Sequence, residues 1–440
     1  MAERSTARDV ALRALVACER QGAWSDGFLK KEIGNAGLDG RDAALATRLC
    51  FGVQQNRMLL DFWLSNLSKI PLAKMEPAVR SILRLGAYQI LFLDRVPDHA
   101  AVNQAVEQAR KNSRNPRSAG LVNGILRSLI RQKSELPQPP DLSTRYSHPQ
   151  WLVEAFSRRL PPEEVEDLLR ADNSEPPTCI QINTCKVETP VAVEALQQEG
   201  MTVSPHPWLP DCLLLQGTGN LEQSAAFQRG WFYVQDAAAK LAVLAADPRP
   251  GMEVLDACAA PGGKSFATAI AMDNQGRVIS CDIHPHKQIL LQRGAERLGL
   301  PIIQPEVLDG KDCKEDFLNK FDLVIADVPC SGLGIIRKKP DIRYKDPEPL
   351  AGLPKVQSAI LENVSRYVRP GGVLLYATCT LLERENEEIV AAFLEKRKDF
   401  TLEKFQLPGP FGLCADGMLT CWPHRHGTDG FFFAKLRRRV

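Results

Sequence analysis

At 440 residues the chain exceeds one ordinary core, so two or three domains are expected. A hydrophobic share of 44% with 25% charged residues is that of a soluble globular protein. No apolar run is long enough to span a bilayer, and the first eight residues lack the apolar core of a signal peptide, which points to the cytoplasm. A net charge of +2 says little about partners, and twelve scattered cysteines without a Cys-x-x-Cys pair argue against a metal site and for free thiols in a reducing compartment.

The first segment reads as helix almost throughout. Leu12, Leu15 and Val16 follow helical spacing, as do Val79, Ile82, Leu83 and Gly86, then Val102, Ala105, Val106 and Ala109. Pro77 and Pro97 stand where helices begin. From Arg110 to Lys133 every charged residue is basic: Arg110, Lys111, Arg114, Arg117, Arg127, Arg131 and Lys133. Such a run suits a polyphosphate backbone, although charge alone does not separate that from a solvated helix face. The prolines of Leu136-Pro137-Gln138-Pro139-Pro140 form a stiff connector and close an all-α domain at 1–140.

Residues 141–235 read as a small α+β domain. Two short helices are expected around Pro162 to Leu169, a strand at Cys179–Asn183, and another apolar run at Trp231–Val234. After Asp247-Pro248-Arg249-Pro250-Gly251 the rhythm changes. Apolar strands at Val254–Asp256, Val278–Ser280, Ile302–Ile303, Leu323–Ala326 and Val373–Tyr376 alternate with helices, one opening after Gly263 and one near Pro285. That alternation makes 236–440 an α/β domain with a mostly parallel sheet, its strand C-termini lined up along one ligand-binding edge.

Three motifs fall on that edge. The first runs Asp256-Ala257-Cys258-Ala259-Ala260-Pro261-Gly262-Gly263-Lys264-Ser265, from the end of a strand into a helix. A P-loop would need glycine at Cys258, and the dinucleotide glycine fingerprint is absent. What remains is a loop that wraps a ligand without a phosphate cradle, as S-adenosylmethionine requires. Asp282 ends the next strand, about 20 residues beyond the glycines, where a carboxylate binds ribose hydroxyls; Asp309 follows the third, where an acid accepts from the adenine amine.

The second motif, Asp327-Val328-Pro329-Cys330, and the third, Thr378-Cys379-Thr380, each end a strand. Either cysteine alone is better read as core packing. The pair on one edge is read as chemistry. Glu383, Glu385, Asn386, Glu387 and Glu388 then read as the acidic first turn of a helix. The C5 carbon of cytosine is a weak nucleophile. A thiolate added at C6 makes the ring an enamine, C5 takes up a sulfonium methyl, and loss of the C5 proton expels the sulfur. Asp327 is placed to favour the addition at ring nitrogen N3. The base must leave its stack, so a single-stranded or loop target is expected. The residues alone do not rank Cys379 above Cys330. Two other classes compete: an RNA-binding assembly factor with an inactive C-terminal half, opposed by retention of both thiols and the whole loop, and a P-loop ATPase, opposed by Cys258.

Together these motifs resemble the NOL1/NOP2/Sun family of RNA cytosine-C5 methyltransferases. Further agreements are Val234-Gln235-Asp236, Arg337 with Pro340-Asp341-Ile342-Arg343, and Asp429-Gly430-Phe431-Phe432. Pro97 to Ala109 followed by Gly120-Leu121-Val122-Asn123-Gly124-Ile125-Leu126 resembles the NusB-type RNA-binding helical domain. The resemblance implies a NusB-like bundle, a small middle domain and a Rossmann-like methyltransferase domain, acting as a monomer on small-subunit (16S) ribosomal RNA. It implies that Cys379 is the nucleophile, that Cys330 helps release product, and that Cys258, Ala259, Ala260, Pro261, Gly262, Gly263, Lys264, Asp282, Asp309 and Asp327 contact the cofactor. Arg343 and Tyr344 replace the Lys and Trp common in the family, a departure that bears on RNA contacts rather than chemistry.

Overall fold

The computed structural model describes residues 5–21 and 25–440. The first four residues, part of the stretch read above for a signal peptide, lie outside them. The chain divides into two compact units, residues 1–174 with Ile336–Lys345, and Glu175–Ile335 with Asp346–Val440.

The first unit is helical. Its centre is the helix Pro77–Phe92, opened by Pro77 in the first turn and buried at most of its positions. Around it stand Ala7–Gln21, Gly40–Gln55, Arg57–Leu67, Asp98–Asn112 and Ser118–Arg131. Gly86 lies on this helix because a Cβ there would sit 2.5 Å from a methyl of Leu126. Arg84, nearly buried, forms a two-pronged bond with Asp61, both contacts at 2.7 Å. The basic residues Arg110, Lys111, Arg114, Arg117, Arg127, Arg131 and Lys133 all reach the surface.

Two short helices were expected near Pro162. The unit instead has one helix there, Pro162–Asp172, preceded by Leu142–Tyr146 and Gln150–Ser157. Arg343 has a structural place that its sequence context did not reveal. It lies in a 3-10 turn, Pro340–Tyr344, with no exposed surface. Its guanidinium donates to Asn173 Oδ1 at 2.7 Å and to the carbonyls of Pro340, Tyr146 and Asp172 at 3.1, 3.2 and 3.3 Å. Tyr344 donates to the Gln54 carbonyl at 2.8 Å, and Arg57 stacks 3.4 Å over its ring. Arg343 is thus an interior strut of the helical unit, and Tyr344 keeps part of its surface exposed beside it.

The second unit begins with a four-stranded antiparallel sheet: β1 (Thr178–Ile182), β2 (Thr202–Pro205), β3 (Cys212–Gln216) and β4 (Phe232–Val234), in the order β2-β3-β1-β4. The main sheet follows: β5 (Glu253–Asp256), β6 (Arg277–Asp282), β7 (Ile303–Val307), β8 (Phe321–Asp327) and β9 (Val368–Thr378). After β10 (Phe400–Leu402), a hairpin of β11 (Phe405–Leu407) and β12 (Gly412–Cys414) intervenes, then β13 (Met418–Cys421) and β14 (Phe431–Arg438). The order is β10-β14-β9-β8-β5-β6-β7, with β13 beside β14. The strands β7, β6, β5, β8 and β9 run parallel, and β14 closes the sheet antiparallel to β9.

Val254, Leu255, Val324, Ile325, Leu374 and Leu375 are buried to 1% or less, the two-sided burial that their continuous apolar runs require. From β5 the chain winds outward to β7, then returns to β8 on the opposite side of β5. The strand order therefore reverses between β5 and β8, which opens a crevice where their following loops emerge. No described helix is long and apolar enough to cross a membrane.

Candidate active site

The loop after β5 is shaped by its small residues. Gly262 has φ +110, a conformation L side chains avoid, and a Cβ there would lie 2.6 Å from the Phe266 ring. Gly263 opens the helix Gly263–Ala271 with the Gln235 amide 2.9 Å from its Cβ position. The Ala259 N–H donates to the Cys281 carbonyl at 2.7 Å, which docks the loop onto the end of β6.

Lys264 is nearly buried, and its ammonium lies 2.6 Å from Asp327 Oδ2 and 4.7 Å from the centroid of Phe431. Paired in this way, it is not a free phosphate ligand. Asp282, at the end of β6, accepts from the His284 N–H at 2.9 Å, and Lys287 stands 3.7 Å from its other oxygen. Asp309, beyond β7, accepts from the Lys311 N–H at 3.0 Å and pairs with its ammonium at 3.2 Å. Asp309 is half-buried and Asp282 nearly buried. Cys258 faces Gly310, whose Cβ position is 3.7 Å from its sulfur. Burial, together with Asp256, Asp327 and Asp282, pushes the Cys258 thiol well above its ordinary pKa and keeps it neutral.

Cys330 follows β8 and Cys379 follows β9. Asp327 sits opposite Ala377 in the parallel ladder, so the two loops leave the sheet side by side. Their sulfurs are 3.1 Å apart and both are partly exposed. The contact with Cys379, followed by burial, raises the Cys330 pKa well above the thiol range. Either thiol can donate the hydrogen bond to the other sulfur. The backbone at Cys379 is pinned by the Gly334 N–H at 3.0 Å, and the Gly334 carbonyl accepts from the Gly430 N–H at 2.7 Å. A Cβ at Gly334 would overlap the Gly430 carbonyl, which gives the Asp429-Gly430-Phe431-Phe432 tail its place in the site.

Several residues escaped the sequence-based site. Asp256 was read only as the opening of the loop motif. It is fully buried, accepts from Ser265 Oγ at 2.7 Å, and Ser265 accepts in turn from Ser280 Oγ at 2.8 Å. Burial pushes its carboxyl up to about 7. Asn363 donates to the Gly310 and Asp312 carbonyls at 2.8 and 2.9 Å and so holds the turn after Asp309. Among the described residues no group of three or more His, Cys, Asp or Glu is arranged to hold a metal ion.

Comparison with known proteins identifies the assembly. The family model for 16S rRNA methyltransferase RsmB/F matches residues 243–437, the NusB family residues 5–131, and the ferredoxin-like domain of RsmF/B-like methyltransferases residues 148–222. A Bacillus subtilis (strain 168) protein described as a probable ribosomal RNA small subunit methyltransferase B is 38% identical, covering 99% of this chain and 100% of its own. The chain belongs to the RsmB/F family of 16S rRNA methyltransferases. The ribosomal RNA small subunit methyltransferase B of Erwinia tasmaniensis is 34% identical over 90% of each chain.

Among solved structures, PH0851 superposes with a TM-score of 0.81 at 27% identity over 98% of both chains. NSun6 from Pyrococcus horikoshii, solved with SFG, superposes at 0.58 and 22% identity, covering 66% of this chain and 98% of its own, and shows the fold alone. An RsmB/F methyltransferase thus has a NusB-type helical domain, a small middle domain and a Rossmann-like domain with a mostly parallel sheet. The NusB match spans the basic helices, and the RsmB/F match spans both cysteines.

Proposed function

We propose that this chain transfers a methyl group from S-adenosylmethionine to the C5 carbon of a cytosine in small-subunit ribosomal RNA, through a covalent bond between Cys379 and C6. The observation that carries the proposal is the pair of sulfurs 3.1 Å apart beside the acid-lined loop. Exocyclic amines carry their own lone pair and need no such pair of thiols; a ring carbon does.

The cofactor reading rests on charge. S-adenosylmethionine brings a sulfonium and an ammonium, and no phosphate. The strand ends beside the loop bring up Asp282, Asp309 and Asp327, each paired with a lysine, Lys287, Lys311 and Lys264 respectively, and Oδ1 of the buried Asp256 makes no hydrogen bond. The loop's own lysine is thereby held by a carboxylate rather than left for a polyphosphate. Cys258, Ala259, Ala260, Pro261, Gly262, Gly263 and Lys264 would hold the cofactor together with those acids. When bound, it supplies an electrophilic methyl.

The protein's own groups do the rest. Cys379 adds to C6 as a thiolate and forms a C–S bond, which moves electron density to C5. An ionised Asp327 accepts rather than donates, so polarising N3 requires a proton of the Lys264–Asp327 pair. Once C5 carries the methyl, its proton passes to a base and the C–S electrons return to sulfur. Cys330 assists by donating its hydrogen bond to the departing thiolate.

Residues 1–140 and 141–235 would grip a single-stranded or loop RNA, and 236–440 would act on the base. The test is labelled methyl transfer into unmodified 16S RNA by the wild-type protein and by Cys379→Ala, with the cofactor affinity of both. Loss of transfer with retained cofactor binding is expected. Full transfer by Cys379→Ala would refute the nucleophile.

A further inference from the structure

The two cysteines stand on loops, and loops do not hold a sulfur–sulfur distance unaided. The stretch from Glu383 to Glu388, expected as the acidic first turn of a helix, is that only from Glu387 onward. Glu383–Glu385 make one 3-10 turn, the chain breaks at Asn386 with φ −118 and ψ −100, and the helix starts at Glu387. Glu385 and Asn386 are completely buried.

Each of the two grips the neighbours of one cysteine. Oε2 of Glu385 accepts from the Ser331 N–H at 2.9 Å and from Gln357 Nε2 at 2.8 Å, and the same Gln357 nitrogen donates to the Pro329 carbonyl at 3.0 Å. Both neighbours of Cys330 are thereby tied to one carboxylate. Asn386 accepts from Thr378 Oγ1 at 2.5 Å and donates to the Thr380 carbonyl at 3.0 Å, so it straddles Cys379. A hydroxyl contact between Ser331 and Thr380, at 2.7 Å, joins the two brackets. Tyr376 in β9 fixes the turn itself by donating to the Glu385 carbonyl at 2.6 Å.

Among the described residues no Lys, Arg or His forms an ion pair with the buried Glu385, so its carboxylate is held by neutral donors alone, an expensive arrangement if its only task is to stabilise the fold. We infer that Glu385 and Asn386 are positioning residues that act separately, Asn386 aiming Cys379 for addition and Glu385 holding Cys330 for release. The inference rests on the roles proposed above for the two cysteines.

The two assignments separate by experiment. Glu385→Ala removes both bonds that tie down the neighbours of Cys330, and Asn386→Ala removes both bonds around Cys379. Each is assayed as the full chain for cofactor affinity, melting temperature, single-turnover methyl transfer and covalent RNA adduct on denaturing gels. An error of about 1 Å in a reacting atom costs about 100-fold in rate. Asn386→Ala is expected to slow single-turnover transfer about 10–100-fold without adduct. Glu385→Ala is expected to leave that step within about 3-fold and to accumulate adduct, because the neighbours of Cys330 lose their anchor. Cofactor affinity stays within about 2-fold in both, because the loop after β5 lies outside both brackets.

Should Asn386→Ala fail to fold, Thr378→Val deletes one of the same bonds from the other side and must show the same slowing. Wild-type behaviour of both variants, or a uniform decline of every readout in step with melting temperature, would overturn the inference. Full activity of Cys379→Ala would instead remove the nucleophile assignment on which it rests.

Discussion

Replacing Cys330 by alanine probes the geometry at its most informative point. The change removes one sulfur, 3.1 Å from the other, and leaves the loop after β5 untouched. In the proposed release step the departing Cys379 thiolate accepts a hydrogen bond from the Cys330 thiol, whose pKa the contact with Cys379 and then burial raise. A hydrogen bond to a charged group contributes about 1.5–3 kcal/mol, and a thiol is a weak donor, so about 1.5–2 kcal/mol applies. At about 1.4 kcal/mol per factor of ten, release slows by about 10–30-fold. Addition and methylation use Cys379 and proceed. Rapid-quench transfer should therefore show a first turnover near the wild-type rate and then a slow steady state. A covalent protein–RNA band should build during the slow phase. An equal decline of both phases with no band would refute the release role of Cys330.

Other consequences follow from buried groups and exposed charge. Asp256 has a folded-state pKa near 7 against an ordinary value of 3.8, so the folded state binds the extra proton. The associated stability is complete below about pH 4 and is lost as pH rises through 7, an effect of up to about 4 kcal/mol. Asp256→Asn should remove that pH dependence in urea unfolding followed from pH 5 to 8; an unchanged slope would contradict it. Arg343→Met orphans the Asn173 oxygen and several carbonyls, which costs about 2–4 kcal/mol. The denaturation midpoint should fall while the RNA affinity of the folded protein holds, and the reverse pattern would make Arg343 an RNA contact instead. Replacing Arg110, Arg114 and Arg117 by glutamine should lower the slope of log affinity against log salt by about 2 for single-stranded RNA. An unchanged slope would clear that surface of phosphate contacts.

The parallel strands were legible because burial on both faces demands uninterrupted apolar runs, as in Leu323–Ala326. The loop after β5 was legible because small residues and two glycines between a strand and a helix mark a tight backbone turn. The cysteine pair was legible because parallel strands put their C-termini on one edge. What stayed hidden depends on distant partners. Glu385 resembles a helix-opening acid until Ser331 and Gln357, 54 and 28 residues away in the chain, are seen to bind it. Arg343 lies in a polar stretch with no periodicity, and its partner Asn173 is 170 residues away. The strand β2 has mostly exposed side chains, so Thr202–Pro205 carries no apolar alternation. Asp256 was in view, but its isolation from water was not, and that isolation sets its pKa.

RNA carrying 5-fluorocytidine gives the most direct test. Fluorine at C5 cannot leave as a proton, so a protein that adds sulfur at C6 and methylates C5 remains attached to its target. With S-adenosylmethionine present, digestion and mass spectrometry should locate the nucleotide on the peptide bearing Cys379 and on no other cysteine. A nucleotide carried by Cys330, or methylated RNA released with no attached protein, would contradict covalent catalysis by Cys379.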